Sequence, residues 1–201
     1  MSDEQSGGCC GGSSCCGGSR GATNVVAGAA VRLLDECARF IEGVGDEAYT
    51  RESRVIHGGT IGKHVRHVLD HYSAIFVGMD MGEEIGYDRR ERNVPMETDR
   101  GAAQAAIVEL KSRLSRGVSE GTAWLSRPVR VRVMVSAEGQ EAELGSTAGR
   151  ELAFATHHAV HHQAMMRAIA EEYGLAGRLG GGSGGFGRAP STLNHERGRE
   201  A

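Results

Sequence analysis

With 201 residues the chain is long enough for one domain with an ordinary buried core, and no second domain is needed. A formal net charge of -3, from Lys+Arg 23 against Asp+Glu 26, provides no basic field to collect phosphate backbones and argues against a nucleic-acid partner. No apolar run approaches the ~20 residues that span a bilayer, and the opening Met1-Ser2-Asp3-Glu4-Gln5 lacks the basic flank and apolar stretch of a secretory signal. The expectation is a soluble, cytoplasmic protein, with an organelle left open as a second compartment.

Residues 1–23 read as a disordered Gly/Ser/Cys-rich tail, because side chains this small cannot pack a core. Cys9, Cys10, Cys15 and Cys16 all fall there, and only Cys37 belongs to the folded part, so a disulfide framework has nothing to staple. Paired thiols in such a tail also suit a soft metal or acylation, as a second reading.

A first helix is expected from Asn24 to Glu42, with Val26, Ala30, Leu33, Leu34, Cys37, Phe40 and Ile41 at helical spacing and Gly43 and Gly45 ending it. The second runs from Thr60 to Met79 on the stripe Ile61, Val65, Val68, Leu69, Tyr72, Ile75 and Phe76. Its flank carries His64, His67 and His71, which fall within about 60° of one another on the helical wheel. His64 lies nearest the apolar stripe and His67 farthest from it, so periodicity alone favours His64 or His71 as an inward ligand. A charged connector, Tyr87-Asp88-Arg89-Arg90-Glu91-Arg92-Asn93-Val94-Pro95, interrupts the helical pattern at its proline. A third helix opens at Thr98 or Asp99 and points Ala102, Ala106, Leu110, Leu114 and Val118 inward.

The period then changes from helix to strand. Val129, Val131, Val133 and Val135 alternate with Arg130, Arg132 and Met134, and a weaker partner runs from Glu141 to Leu144 after Glu138-Gly139, giving a small β-hairpin. The fourth helix begins after Ser146-Thr147, with Glu151 at its positive end, and runs to Tyr173. It carries His157, His158, His161 and His162. Residues 176–201 read as a Gly-rich flexible segment ending in Phe186-Gly187-Arg188-Ala189-Pro190-Ser191-Thr192-Leu193. The whole describes an all-α protein, a four-helix bundle over 24–175 with a hairpin between its third and fourth helices.

Seven of the nine histidines sit in the two helical clusters, about 90 residues apart in sequence. Residues four apart on a helix differ by about 40° of arc, so His158 and His162 can aim neighbouring imidazoles at one point, and the other cluster supplies a third. Neutral imidazole is the commonest ligand for borderline divalent ions, and three of them leave a coordination position open. The pattern therefore points to a metal centre of catalytic type. No Ser-His-Asp arrangement or phosphate-cradling P-loop competes with it.

The motifs Thr60-Ile-Gly-Lys-His-Val-Arg-His67 and His158-Ala-Val-His-His162 resemble those of the DinB-like (DinB/YfiT) superfamily of metal-binding four-helix bundles. Tyr87-Asp88-Arg89-Arg90-Glu91-Arg92 and the Phe186 to Leu193 motif look like those of one uncharacterised branch. The resemblance implies His67, His158 and His162 as ligands of Zn²⁺, Ni²⁺ or Fe²⁺, with His64, Asp70, His71 and His161 beside them as groups that orient the ligands or line the pocket. It also implies a metal-dependent thiol transferase, with a low-molecular-weight thiol as co-substrate; metal-assisted hydrolysis of a small molecule is the chemically adjacent reading. Arg89 and Arg92 are candidates for gripping an anionic substrate group, and Arg188 and Ser191 for a lid that folds back over the site. The alternative is non-catalytic: a metal-binding protein, or a bundle that uses an apolar face to form a homodimer.

Overall fold

A computed structural model describes residues 18–82, 84–88, 94–175 and 185–200. The tail cysteines at 9, 10, 15 and 16, the connector cations Arg89, Arg90 and Arg92, and the Gly-rich stretch 176–184 lie outside the described residues. The element order is α1 (Gly18–Gly43), α2 (Asp46–Thr50), α3 (Ile61–Met81), β1 (Ile85–Gly86), α4 (Arg100–Ser119), β2 (Pro128–Met134), β3 (Glu141–Thr147), α5 (Ala148–Glu172) and α6 (Pro190–Glu200). Short 3₁₀ turns occupy Pro95–Glu97 and Thr122–Ser126. The protein is mainly α-helical with one small sheet.

Side-chain caps fix where three of the long helices begin. The Thr60 hydroxyl accepts from Lys63 N, the Asp99 carboxylate from Gly101 N and Ala102 N, and the Thr147 hydroxyl from Arg150 N. Each satisfies amide donors that the first turn leaves without an intrahelical partner. α1 begins at Gly18, earlier than the Asn24 start expected from periodicity.

The long helices α1, α3, α4 and α5 pack pairwise around one apolar core. Leu34, Cys37, Phe40 and Ile41 enter it from α1, and Val65, Leu69, Tyr72 and Ile75 from α3. α4 corrects the expected register: Ala103, Ile107, Leu110 and Leu114 are buried, whereas Ala102 and Ala106 are only partly covered. Turning the helix this way buries Ile107 in place of a methyl group, and buried apolar area is what stabilises the contact. From α5 the core takes Leu152, Ala155, Ala159, Met166 and Ile169. Among the described residues, no helix is long and apolar enough to cross a membrane.

The expected hairpin is present, with β2 and β3 antiparallel and Val131 opposite Leu144. A third strand joins it: β1 pairs parallel to β2, Ile85 opposite Val131. Two residues carry no alternation to read, so β1 is visible only through its pairing. Its effect is to seat the chain at Tyr87 beside the α3/α5 seam.

Candidate metal centre

α3 and α5 face each other along much of their length, and α5 offers the small residues Ala155 and Ala159 to the contact. Small side chains permit a close approach of helix axes. The histidines on the flank of each helix are thereby brought within reach of one another.

Three of them meet at their Nε2 atoms. His158 Nε2 lies 2.9 Å from His67 Nε2 and 3.1 Å from His162 Nε2. His67, His71 and His158 likewise bring one ring nitrogen each to within 4.8 Å of the others, a grouping able to hold a metal ion. His71 Nδ1 is 2.9 Å from the His67 carbonyl oxygen, which can only accept; Nδ1 therefore donates, and the ring's lone pair resides on Nε2. His64 enters from the first turn of α3, its Nδ1 2.9 Å from His162 Nδ1.

The donor chemistry fits a cation. A neutral imidazole has one proton for two nitrogens, so a proton on His158 Nε2 can be shared with His67 or His162 but not fully with both. Adding a second proton to a ring is disfavoured as well. Burial, then the neighbouring His67, His158, His64 and His161, push His162 down to about 3, and burial followed by His161 lowers His64. Near neutral pH His162 and His64 are thus uncharged rings, each with one proton and one lone pair. Zn–N bonds of ~2.0–2.1 Å at tetrahedral angles would separate nitrogens by roughly 3.3 Å, close to the separations found between these rings.

Aromatic rings wall the cluster. Tyr87 stacks on His71 with centroids 4.9 Å apart, and Phe154 stacks on His158 at 5.7 Å. Phe154 is 38% exposed, so it forms the solvent-facing lip of this wall. Tyr87 is anchored from below: its hydroxyl donates to Glu151 Oε2 at 2.7 Å, and Glu151 Oε1 accepts from Ser146 Oγ at 2.5 Å and from Arg150 Nη1 at 2.8 Å. Burial, reinforced by that carboxylate, raises the Tyr87 phenol far above its ordinary range, so it remains a hydrogen-bond donor. The buried Cys37 thiol, pushed up to about 12 by desolvation, is not a candidate nucleophile.

No family model and no solved structure matches this chain. It is 32% identical over 126 residues to FK506-binding protein 5 of Rhizopus delemar, a match covering 62% of this chain and 31% of that protein. The chain thus spans less than a third of the length of the curated relative it matches.

The other residues singled out by sequence fall in several places. His161 is exposed, its ring centroid 5.4 Å from that of His162, while Asp70 accepts from Arg66 Nε at 3.2 Å. Arg66 also holds Glu97 at 2.5 Å, tying α3 to the turn before α4. The C-terminal motif does not lie over the histidine cluster. Phe186 stacks on Phe40 of α1 at 4.4 Å, and Gly187, with φ 70°, sits where a Cβ would come 2.6 Å from the Ala164 backbone. Arg188 pairs with Glu196 and lines a cavity of about 430 Å³ together with Leu33, His157, Val160 and Leu193, while Ser191 is exposed on α6. On α5, His157 and Val160 face away from His158 and His162, so the lid expected of this motif is instead a wall on the opposite flank. Phe154 and the anchoring role of Glu151 escaped the sequence reading. The available signal was spacing: Phe154 precedes His158 by four residues and therefore shares its face.

Proposed function

We propose that this chain is a divalent-metal-binding protein of the DinB-like kind, a four-helix bundle in which His67, His158 and His162 hold one Zn²⁺, Ni²⁺ or Fe²⁺. The observation that carries the proposal is the meeting of three Nε2 atoms at 2.9 and 3.1 Å between α3 and α5. His71, with its Nε2 lone pair beside the trio, is the neighbouring candidate for the same ion. An ion held this way would supply Lewis acidity, lowering the pKa of a bound small thiol or of water and polarising a carbonyl.

The chain's own residues supply the remaining elements of a small-molecule site. Tyr87 and Phe154 keep one side of the cluster apolar, which limits water and strengthens electrostatic interactions within it. Glu151 holds Tyr87, and through the stacked ring holds His71. Thiol transfer and hydrolysis both fit this arrangement, and cations of the connector, Arg89 and Arg92, follow Tyr87 in sequence as candidates to meet an anionic substrate. The name of the Rhizopus delemar protein describes a much longer chain and carries no argument about the histidines.

The test is elemental analysis of the full chain by ICP-MS after exposure to Zn²⁺, Ni²⁺ and Fe²⁺ in turn, followed by an activity screen with small thiols and esters. About one equivalent of one metal is expected. No uptake of any of the three sinks the reading, and uptake without turnover reduces it to metal binding alone.

A further inference from the structure

We propose that His64 is a positioning residue: it accepts a hydrogen bond from His162 Nδ1 and so holds His162 in the tautomer that turns the Nε2 lone pair toward the metal. This rests on the metal-binding reading above. The contact itself is a 2.9 Å approach of two Nδ1 atoms, and two neutral rings can make it in only two ways. If His64 Nδ1 donates, the proton of His162 must sit on Nε2, 3.1 Å from His158 Nε2, where it blocks a ligand position. If His162 Nδ1 donates, its Nε2 carries the lone pair and faces His158. Only the second arrangement offers His162 as a ligand.

Two further observations bear on the role. His64 Nε2 is buried without a hydrogen-bond partner, so the ring's polar contact runs through Nδ1, to His162; with Nδ1 accepting, the ring's own proton sits on that Nε2. The packing around it is close: a Cβ on Gly59 would come 3.2 Å from His64 Nε2 and 2.8 Å from Ile56 Cγ2. The capped first turn of α3 and the chain at Gly59 therefore fix the ring in place. Groups that orient metal-bound histidines are usually carboxylates or backbone carbonyls. An imidazole in that place adds no negative charge, leaving more of the ion's charge available to a substrate.

The test compares Zn²⁺ affinity of the full-length wild type, His64→Leu and His64→Gln by competition with a chromophoric chelator, with circular dichroism confirming that each is helical. His64→Leu should bind about 10–100-fold more weakly, and His64→Gln, whose side-chain oxygen can accept the same hydrogen bond, should recover most of the loss. Long-range ¹H–¹⁵N correlation spectra of the Zn²⁺-loaded wild type should show His162 protonated on Nδ1. Equal affinity in His64→Leu, a His64→Gln no better than His64→Leu, or His162 protonated on Nε2 would each overturn the role of His64 while leaving the metal site standing. A wild type that takes up no Zn²⁺ overturns both.

Discussion

Two polar clusters sit on α5, two helical turns apart, and they are built in different ways. Around Glu151, which is 1% exposed, one carboxylate collects donors from Tyr87, Ser146 and Arg150, so buried acceptors and donors match. Around His158, two contacts of 2.9 and 3.1 Å converge on one Nε2 atom, whose single proton or lone pair cannot make both as full hydrogen bonds. A fold normally satisfies its buried polar groups, because each unpaired one costs on the order of 1–3 kcal/mol. Glu151 shows what this chain does when the role is structural. At the histidine cluster ring nitrogens face one another instead, an arrangement that suits a cation.

The largest way to break this contrast is His158→Ala. His158 is common to both short Nε2 contacts and to the His67/His71/His158 grouping, so its loss should weaken metal binding by more than about 100-fold. The metal-free variant should keep its helical circular dichroism, since the half-buried ring lies outside the apolar core. Undiminished metal uptake would place the ion elsewhere.

Glu151→Ala should do the reverse, sparing the histidines and harming the fold. It strands the Tyr87 hydroxyl and Ser146 hydroxyl beneath the sheet, at an expected cost of about 3 kcal/mol in urea denaturation. Tyr87→Phe removes one donor but keeps the ring on His71, so about 1 kcal/mol is expected, with metal stoichiometry unchanged. If Tyr87→Phe lost the metal while stability held, the two clusters would be one functional unit and the contrast would fail.

Residue spacing reveals one half of this contrast and conceals the other. His158 and His162 are four apart and lie on one face by helix geometry alone, and His67 and His71 share that property, so the convergence of the two clusters follows once α3 and α5 pack. The selection of His67 came from family resemblance against the helical wheel; the structure brings His67 and His71 to the same grouping, with His71 the more buried. Glu151 reads from sequence as a carboxylate at a helix start, because its partners Tyr87 and Ser146 come from a connector and a strand whose pairing periodicity cannot supply. The same limit hid β1 and the seat of the C-terminal motif on α1 and α5, both set by tertiary contacts between distant segments. On α4 the apolar residues allowed two neighbouring stripes, and the difference between burying Ala106 and Ile107 decided for the second.

The last test separates the clusters by acid alone. In the metal-free protein His162 is held down to about 3, against 6.5 for an unperturbed histidine, so between these values the unfolded chain binds a proton that the folded chain refuses. Stability must then fall as pH drops from about 6.5 toward 3, since the unfolded state takes up more protons throughout that window. His64, lowered in the same direction by burial, adds to the slope. Urea midpoints of the metal-free wild type should decline progressively from pH 7 to pH 5, and His162→Leu should flatten the decline by removing the ring that resists protonation. If the variant kept the full acid sensitivity, the histidine cluster would not be the part of the fold that acid opposes.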